Sequence, residues 1–206
     1  MVFQSLYRRF RPQTFNEVVG QEHLVNALKN AIVEDRVGHA YLLSGPRGTG
    51  KTSTARILAK ALNCEQLDAG EPCGDCDSCV SIENGSSMDL IELDAASNNR
   101  VENVRDITSN AALGSPGRRK VYLLDEVHML STAASNALLK TLEEPPEHVQ
   151  FILATTEPEK IPKTILSRCL HFNLQPLPQP QIQTYLASVL TQDNISYDED
   201  ALAQIA

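Results

Sequence analysis

Short, nearly continuous apolar runs alternate along the chain with longer stretches in which apolar residues recur every three or four positions. The first pattern suits strands buried on both faces, and the second suits helices that pack on a sheet by one face. Five runs read as strands: Ala40–Leu43, Leu90–Leu93, Val121–Leu124, Phe151–Ala154 and Leu170–Leu174. Helices are expected over Gln21–Val33, Lys51–Leu62, Val101–Leu113 and Thr132–Glu144, the last with Ser131 as its N-cap and Pro145-Pro146 as its stop. In the first of these Leu24, Ala27, Leu28, Ala31 and Ile32 share a face. Strands alternating with helices predict an α/β domain built on a five-stranded parallel sheet covered on both faces.

The pattern changes at Gln175-Pro176-Leu177-Pro178-Gln179-Pro180. Prolines at every second position cannot continue a strand or helix interior, so this stretch reads as a linker. Two further helices, Ile182–Leu190 and Ala201–Ile205, then start a small helical domain. The expected division is one domain over residues 1–175 and the beginning of another over 180–206.

Composition narrows the functional classes. The 206 residues are 42% hydrophobic and 21% charged, which excludes wholesale disorder. No apolar run approaches the roughly 18 residues of a membrane span. The stretch Met1–Phe10 lacks an apolar core of the signal-peptide kind, so a cytosolic chain with no membrane association is expected. With 18 Lys and Arg against 26 Asp and Glu the net charge is −8, which excludes coating of nucleic acid by bulk charge. Any such contact needs a local patch. Residues 1–11 carry Arg8, Arg9 and Arg11 without an acid, whereas residues 65–106 carry 11 acids against Arg100 and Arg105. Arg118-Arg119-Lys120, in a Gly/Pro loop, reads as a solvated turn.

Three motifs carry chemistry. Gly45-Pro46-Arg47-Gly48-Thr49-Gly50-Lys51-Thr52, followed by Ser53, matches the phosphate-binding loop between a strand and a helix. Its backbone N–H groups and helix N-terminus make an anion nest, Lys51 reaches the β- and γ-phosphates, and the Thr52 hydroxyl suits Mg²⁺. The plainer alternative is a Gly-rich turn with a chance lysine. Val121-Tyr122-Leu123-Leu124 ends in Asp125-Glu126, where a phosphate-loop enzyme places a Mg²⁺ ligand and a water-activating carboxylate. Cys64, Cys73, Cys76 and Cys79 are four thiols within 16 residues, enough for a closed tetrahedral Zn²⁺ site; a redox dithiol is the alternative. Weaker signals are Thr155 and Thr156 at the end of the fourth strand, and Ser167-Arg168-Cys169 before the fifth. Cys169 reads as a small buried residue, and His128 as packing or support rather than a proton carrier.

Together these motifs resemble the AAA+ ATPases of bacterial clamp loaders, in particular the N-terminal part of the gamma/tau type. Besides the phosphate loop and the four cysteines, the resemblance rests on Tyr7–Pro12, Val18–His23, Glu92–Ser97, Asp125–Leu130, Leu142–His148 and Leu166–Cys169. It implies an AAA+ P-loop NTPase fold with a zinc module at about 64–79 and the start of a lid domain. It implies ATP and ADP as ligands, a pocket for adenine and ribose that includes Tyr7, Arg11, Pro12, Val18 and Val19, and Arg168 as an arginine finger for a neighbouring subunit. Thr155 or Thr156, with Thr156 preferred, matches the family's first sensor; the second sensor is expected beyond Ala206. The implied task is to couple ATP hydrolysis to loading of a sliding clamp on primed DNA within a bacterial DNA polymerase holoenzyme. The implied partners are delta, delta-prime and further gamma/tau copies in a hetero-oligomer, the clamp, and primer-template DNA, which Ser97–Arg105 would contact. A non-hydrolysing scaffold of the same assembly is the alternative, disfavoured by the intact Lys51, Thr52 and Glu126.

Overall fold

The computed structural model describes residues 5–111, 114 and 117–206. Residues 112–113, with which the third expected helix ends, and residues 1–4 of the N-terminal stretch lie outside the described residues.

Five strands form one parallel sheet: β1 Ala40–Ser44, β2 Leu90–Asp94, β3 Lys120–Asp125, β4 Val149–Thr155 and β5 Leu170–Asn173. Their order across the sheet is β2-β3-β4-β1-β5. Because β4 lies between β1 and β3, the loops that follow β1 and β3 flank the end of β4. Register fixes this closely, with Ser44 opposite Thr155 and Asp94 opposite Asp125.

Alternate strand residues feed two apolar layers, as the period of two requires. On one face Leu42, Tyr122, Leu124, Phe151 and Leu153 pack against α5 (Val101–Ala111) and α6 (Thr132–Glu143) through Val104, Ile107, Leu138 and Leu142. On the other Tyr41, Leu43, Val121, Leu123 and Ile152 meet α2 (Glu22–Val33) and α3 (Lys51–Asn63) through Leu24, Leu28, Ile57 and Leu58. The expected α/β fold is the one found. Ser131 caps α6, its hydroxyl accepting the Ala134 N–H at 3.2 Å.

Differences from the sequence reading are local. The cysteine-bearing insert contains a helix, α4 (Asp77–Glu83), that its polar composition conceals. Short helices α1 (Leu6–Arg9) and α7 (Lys163–Leu166) are too brief for a periodic signal. The linker is shorter than expected, because α8 (Gln179–Gln192) already includes Pro180. A proline in the first turn removes no helical hydrogen bond, so it is tolerated there. Helix α9 (Glu199–Ile205) follows, with Asp198 as its N-cap. This C-terminal pair packs back on the N-terminal segment: the Tyr185 hydroxyl donates to the Phe10 carbonyl at 2.8 Å, and Arg9 pairs with Asp193.

Candidate functional site

All five strands point one way, so the residues at their C-terminal ends collect along one sheet edge. There β1 runs into the glycine-rich loop and then α3. Gly45, Gly48 and Gly50 have φ of 143°, 85° and 94°, which a side chain would strain. At Gly45 space is closed as well, because a Cβ would lie 2.4 Å from the Leu174 carbonyl oxygen. Pro46, Arg47 and Gly48 form the exposed crest, and the Thr49 hydroxyl ties the turn by donating to the Pro46 carbonyl at 2.9 Å.

Lys51 is 94% buried, a state in which an ammonium requires partners. Its Nζ donates to the carbonyls of Gly45 at 2.7 Å and Pro46 at 2.8 Å, under the loop crest. Burial pulls its pKa below the ordinary lysine value, and the carboxylates of Glu126 and Asp125 pull the other way. The Thr52 hydroxyl donates to Asp125 Oδ2 at 2.8 Å, so the two oxygens expected around Mg²⁺ stand together.

Glu126 follows at φ 49° and ψ 45°, a left-handed backbone that costs a non-glycine residue roughly 1–3 kcal/mol. That turn lifts its carboxylate off β3 toward the end of β4. Glu126 Oε2 accepts from the Thr156 N–H at 3.2 Å and from the Thr156 hydroxyl at 3.0 Å. Thr155 behaves differently. It is fully buried, and its hydroxyl meets His128 Nδ1 at 3.0 Å and accepts the Glu157 N–H at 3.1 Å. The neighbouring threonines therefore divide, one toward the site and one toward the interior.

His128 lies buried between these groups. Its side chain, 6% exposed, bridges Glu126 Oε2 at 3.4 Å and Glu157 Oε1 at 3.1 Å. Glu157 continues to Lys160 at 2.6 Å, and that ammonium, hydrogen-bonded to Glu157, holds its carboxyl below the ordinary range. No local pattern signals this relay, because its partners come from two different strand ends.

The N-terminal residues expected around the base differ in burial and in contacts. Arg11 reaches the phosphate-loop helix, donating from Nε to Ser53 Oγ at 3.0 Å, and burial lowers its pKa. Pro12 is half-buried, and Val18 packs against the layer that holds Phe15. Val19 and Tyr7 are exposed, Tyr7 by 74%.

Arg168 lies at the opposite end of the sheet. It precedes β5, whose Leu170 is level with Tyr41 near the start of β1, so about 16 Å of strand separates it from its own loop. Its side chain is 32% exposed, and the guanidinium pairs with Glu143 at 2.6 Å and donates to the Thr164 carbonyl at 2.7 Å. It borders a cleft of about 540 Å³ with Gly38, His39 and Leu170.

The four cysteines converge away from this edge. Their sulfurs lie within 4.8 Å of one another, Cys64 and Cys79 fully buried and none in a disulfide. Cys64 caps α3, and Cys76 and Cys79 open α4. The Cys73 N–H donates to Cys64 Sγ at 3.3 Å and the Cys76 N–H to Cys73 Sγ at 3.4 Å. These bonds favour thiolates, and the Cys76 and Asp75 amides bring Cys73 down to about 7. Burial pushes Cys64 and Cys79 up. Four convergent soft donors without an open position fit a tetrahedral structural zinc ion.

Sheet order, glycine loop and the Asp125-Glu126 strand end define a P-loop NTPase fold of the AAA+ class. Solved structures share it. A Thermotoga maritima RuvB Holliday junction branch migration motor aligns at TM-score 0.65 and 18% identity, covering 94% of this chain and 58% of that one. A DNA polymerase III gamma subunit-related protein from Thermotoga maritima aligns at TM-score 0.58 and 20% identity, covering 81% and 53%. The family described as "DNA polymerase III, delta subunit" matches residues 20–178, most of the chain, and the chain belongs to that family. Curated relatives carry gamma/tau names, in line with the resemblance read from the motifs. They include DNA polymerase III subunit tau/gamma of Haemophilus influenzae at 55% identity and subunit tau of Bacillus subtilis at 53%, both over the whole chain. The chain spans about a third of these relatives' length, 30% and 37%. Among the described residues no helix is long and apolar enough to cross a membrane.

Proposed function

We propose that this chain is the ATP-hydrolysing part of a replicative clamp-loader subunit of the gamma/tau type, working in the bacterial cytoplasm. The observation that carries this is the conjunction at one sheet edge of Lys51, the Thr52–Asp125 pair and a Glu126 carboxylate held by Thr156. The names of the relatives supply the replication context.

In this reading the loop N–H groups and Lys51 bind the β- and γ-phosphates of ATP. Thr52 and Asp125 hold Mg²⁺, which neutralises phosphate charge. Glu126 accepts a proton from water as the water oxygen bonds to the γ-phosphorus and the bond to the β,γ-bridging oxygen breaks, leaving ADP and phosphate. Thr156 acts as first sensor by fixing the Glu126 carboxylate. Arg168 is too distant to serve its own loop, so it stabilises γ-phosphate charge in a neighbouring copy or in delta-prime. Zn²⁺ on Cys64, Cys73, Cys76 and Cys79 is structural. Arg11, Pro12, Val18, Val19 and Tyr7 form the base and ribose side once nucleotide and the lid helices are in place. Arg100 and Arg105, both exposed, offer phosphate contacts to primer-template DNA.

ATP turnover by the assembled loader, with sliding clamp and primed DNA, tests this. Stimulation by both that disappears in Lys51→Ala is expected. Turnover unchanged by Lys51→Ala would leave the non-hydrolysing scaffold in its place.

A further inference from the structure

The cysteine insert stands apart from the strand-end site, yet it makes specific polar contacts with one segment that reaches that site. One of its carboxylates does this directly and a second does it through Lys60. Glu71 Oε2 accepts the Phe15 N–H at 2.8 Å, while Oε1 pairs with Lys29 of α2 at 3.0 Å. Glu83, in the last turn of α4, pairs with Lys60 of α3 at 3.2 Å. Lys60 is 1% exposed, an unusual state for an ammonium, and its second contact is Gln13 Oε1 at 2.6 Å. Gln13 then donates from Nε2 to the Arg11 carbonyl at 3.0 Å, and Arg11 donates from Nε to Ser53 Oγ, beside Thr52 of the phosphate loop. The insert is also seated closely: at Gly70, with φ 82°, a Cβ would lie 3.0 Å from the Lys29 carbonyl oxygen. Leu67 packs against both the cysteines and the α2–α3 apolar layer.

The segment 10–21 needs such support. Its regular structure is a single 3₁₀ turn, Phe15–Glu17, so its position depends on long-range partners. Phe15 anchors it in the core, but the backbone on either side is held by Glu71, by Gln13 on Lys60 and by Arg11 on Ser53.

We propose that the four-cysteine insert braces the nucleotide site, with Glu71 and the Glu83–Lys60 pair positioning residues 11–17 and, through Arg11, the first turn of α3. This rests on the nucleotide-binding reading above and gives the metal-ligating insert a task beyond its own stability. Glu71, Glu83 and Lys60 are positioning residues, since none of them touches the phosphate loop.

The test uses the full-length chain carrying Glu71→Gln and Glu83→Gln, with a fluorescent ATP analogue as probe. Affinity is expected to fall about tenfold. Bound zinc should remain at the wild-type content, and amide exchange should accelerate at residues 13–17. Arg11→Ala added to that background should cost less than it costs alone, because the brace acts through Arg11. Wild-type affinity in the double variant, or fully additive losses, would overturn the proposal. If the double variant fails to fold, Glu71→Gln alone, which keeps Glu83 on Lys60, carries the same test. A wild-type chain that binds no ATP analogue would overturn the nucleotide reading instead, and amide exchange at residues 13–17 then decides the brace.

Discussion

The two ends of the parallel sheet are built on opposite plans. At the C-terminal end the polar groups bond to one another: Lys51 to loop carbonyls, Thr52 to Asp125, Glu126 to Thr156, and His128 to Thr155 and Glu157. At the N-terminal end Arg168 is half-exposed beside an open cleft, held by one carboxylate and one carbonyl. The first arrangement fixes charges where a phosphate chain would lie. The second holds its cation in an ion pair with Glu143, a strand's length from its own loop. On the proposed reading, a site can thus be finished in its positioning groups and still depend on a residue from elsewhere.

Substitutions can break this contrast. The largest expected effect is Arg168→Ala in the assembled loader: stimulated turnover falls by roughly 10³-fold, while ATP affinity of the variant subunit stays at wild type. Turnover and nucleotide binding measured side by side check it, and a loss of affinity instead would place Arg168 in its own site. Glu126→Gln should follow, lowering turnover by about 10²-fold or more with nucleotide still bound, read by single-turnover kinetics. His128→Asn should cost about tenfold in kcat with KM unchanged, since it removes a support of Glu126 and no ligand contact.

The smallest effect concerns pH. Lys160 holds the Glu157 carboxyl below its ordinary value, so the pair steadies the folded chain above the ordinary carboxylate range. That support is lost as pH falls through the lowered value. In Lys160→Met the acid limb of thermal unfolding should lie slightly higher in pH, and less so in high salt, because the pair is solvent-exposed.

Much of this was legible beforehand where the signal is local. The five apolar runs became the five strands to within two residues at either end. Strands β1, β3 and β4 are buried on both faces, which leaves little room for polar residues, whereas the edge strands β2 and β5 are more exposed than a buried strand should be. The glycine loop and the cysteine spacing were equally plain, and the four sulfurs converge as that spacing requires. Contacts between distant segments were not legible. Nothing near His128 announces Glu157, and nothing near Lys60 announces Gln13 and Glu83. The choice between Thr155 and Thr156 rested on backbone direction at a strand end, which spacing does not encode. Helix α4 was hidden because its seven residues are too few for a periodic signal and include Cys79 of the four-cysteine set.

The separation of Arg168 from the phosphate loop gives the molecule a polarity. On the proposed reading, in which the arginine of one copy serves the loop of the next, copies that stack in one direction join head to tail, and such heterologous contacts propagate until the rotation closes or the row stops. In a row that stops, the chain at one terminus keeps an unserved loop and the chain at the other an idle arginine. On that reading, unequal sites among identical chains follow from position in the row.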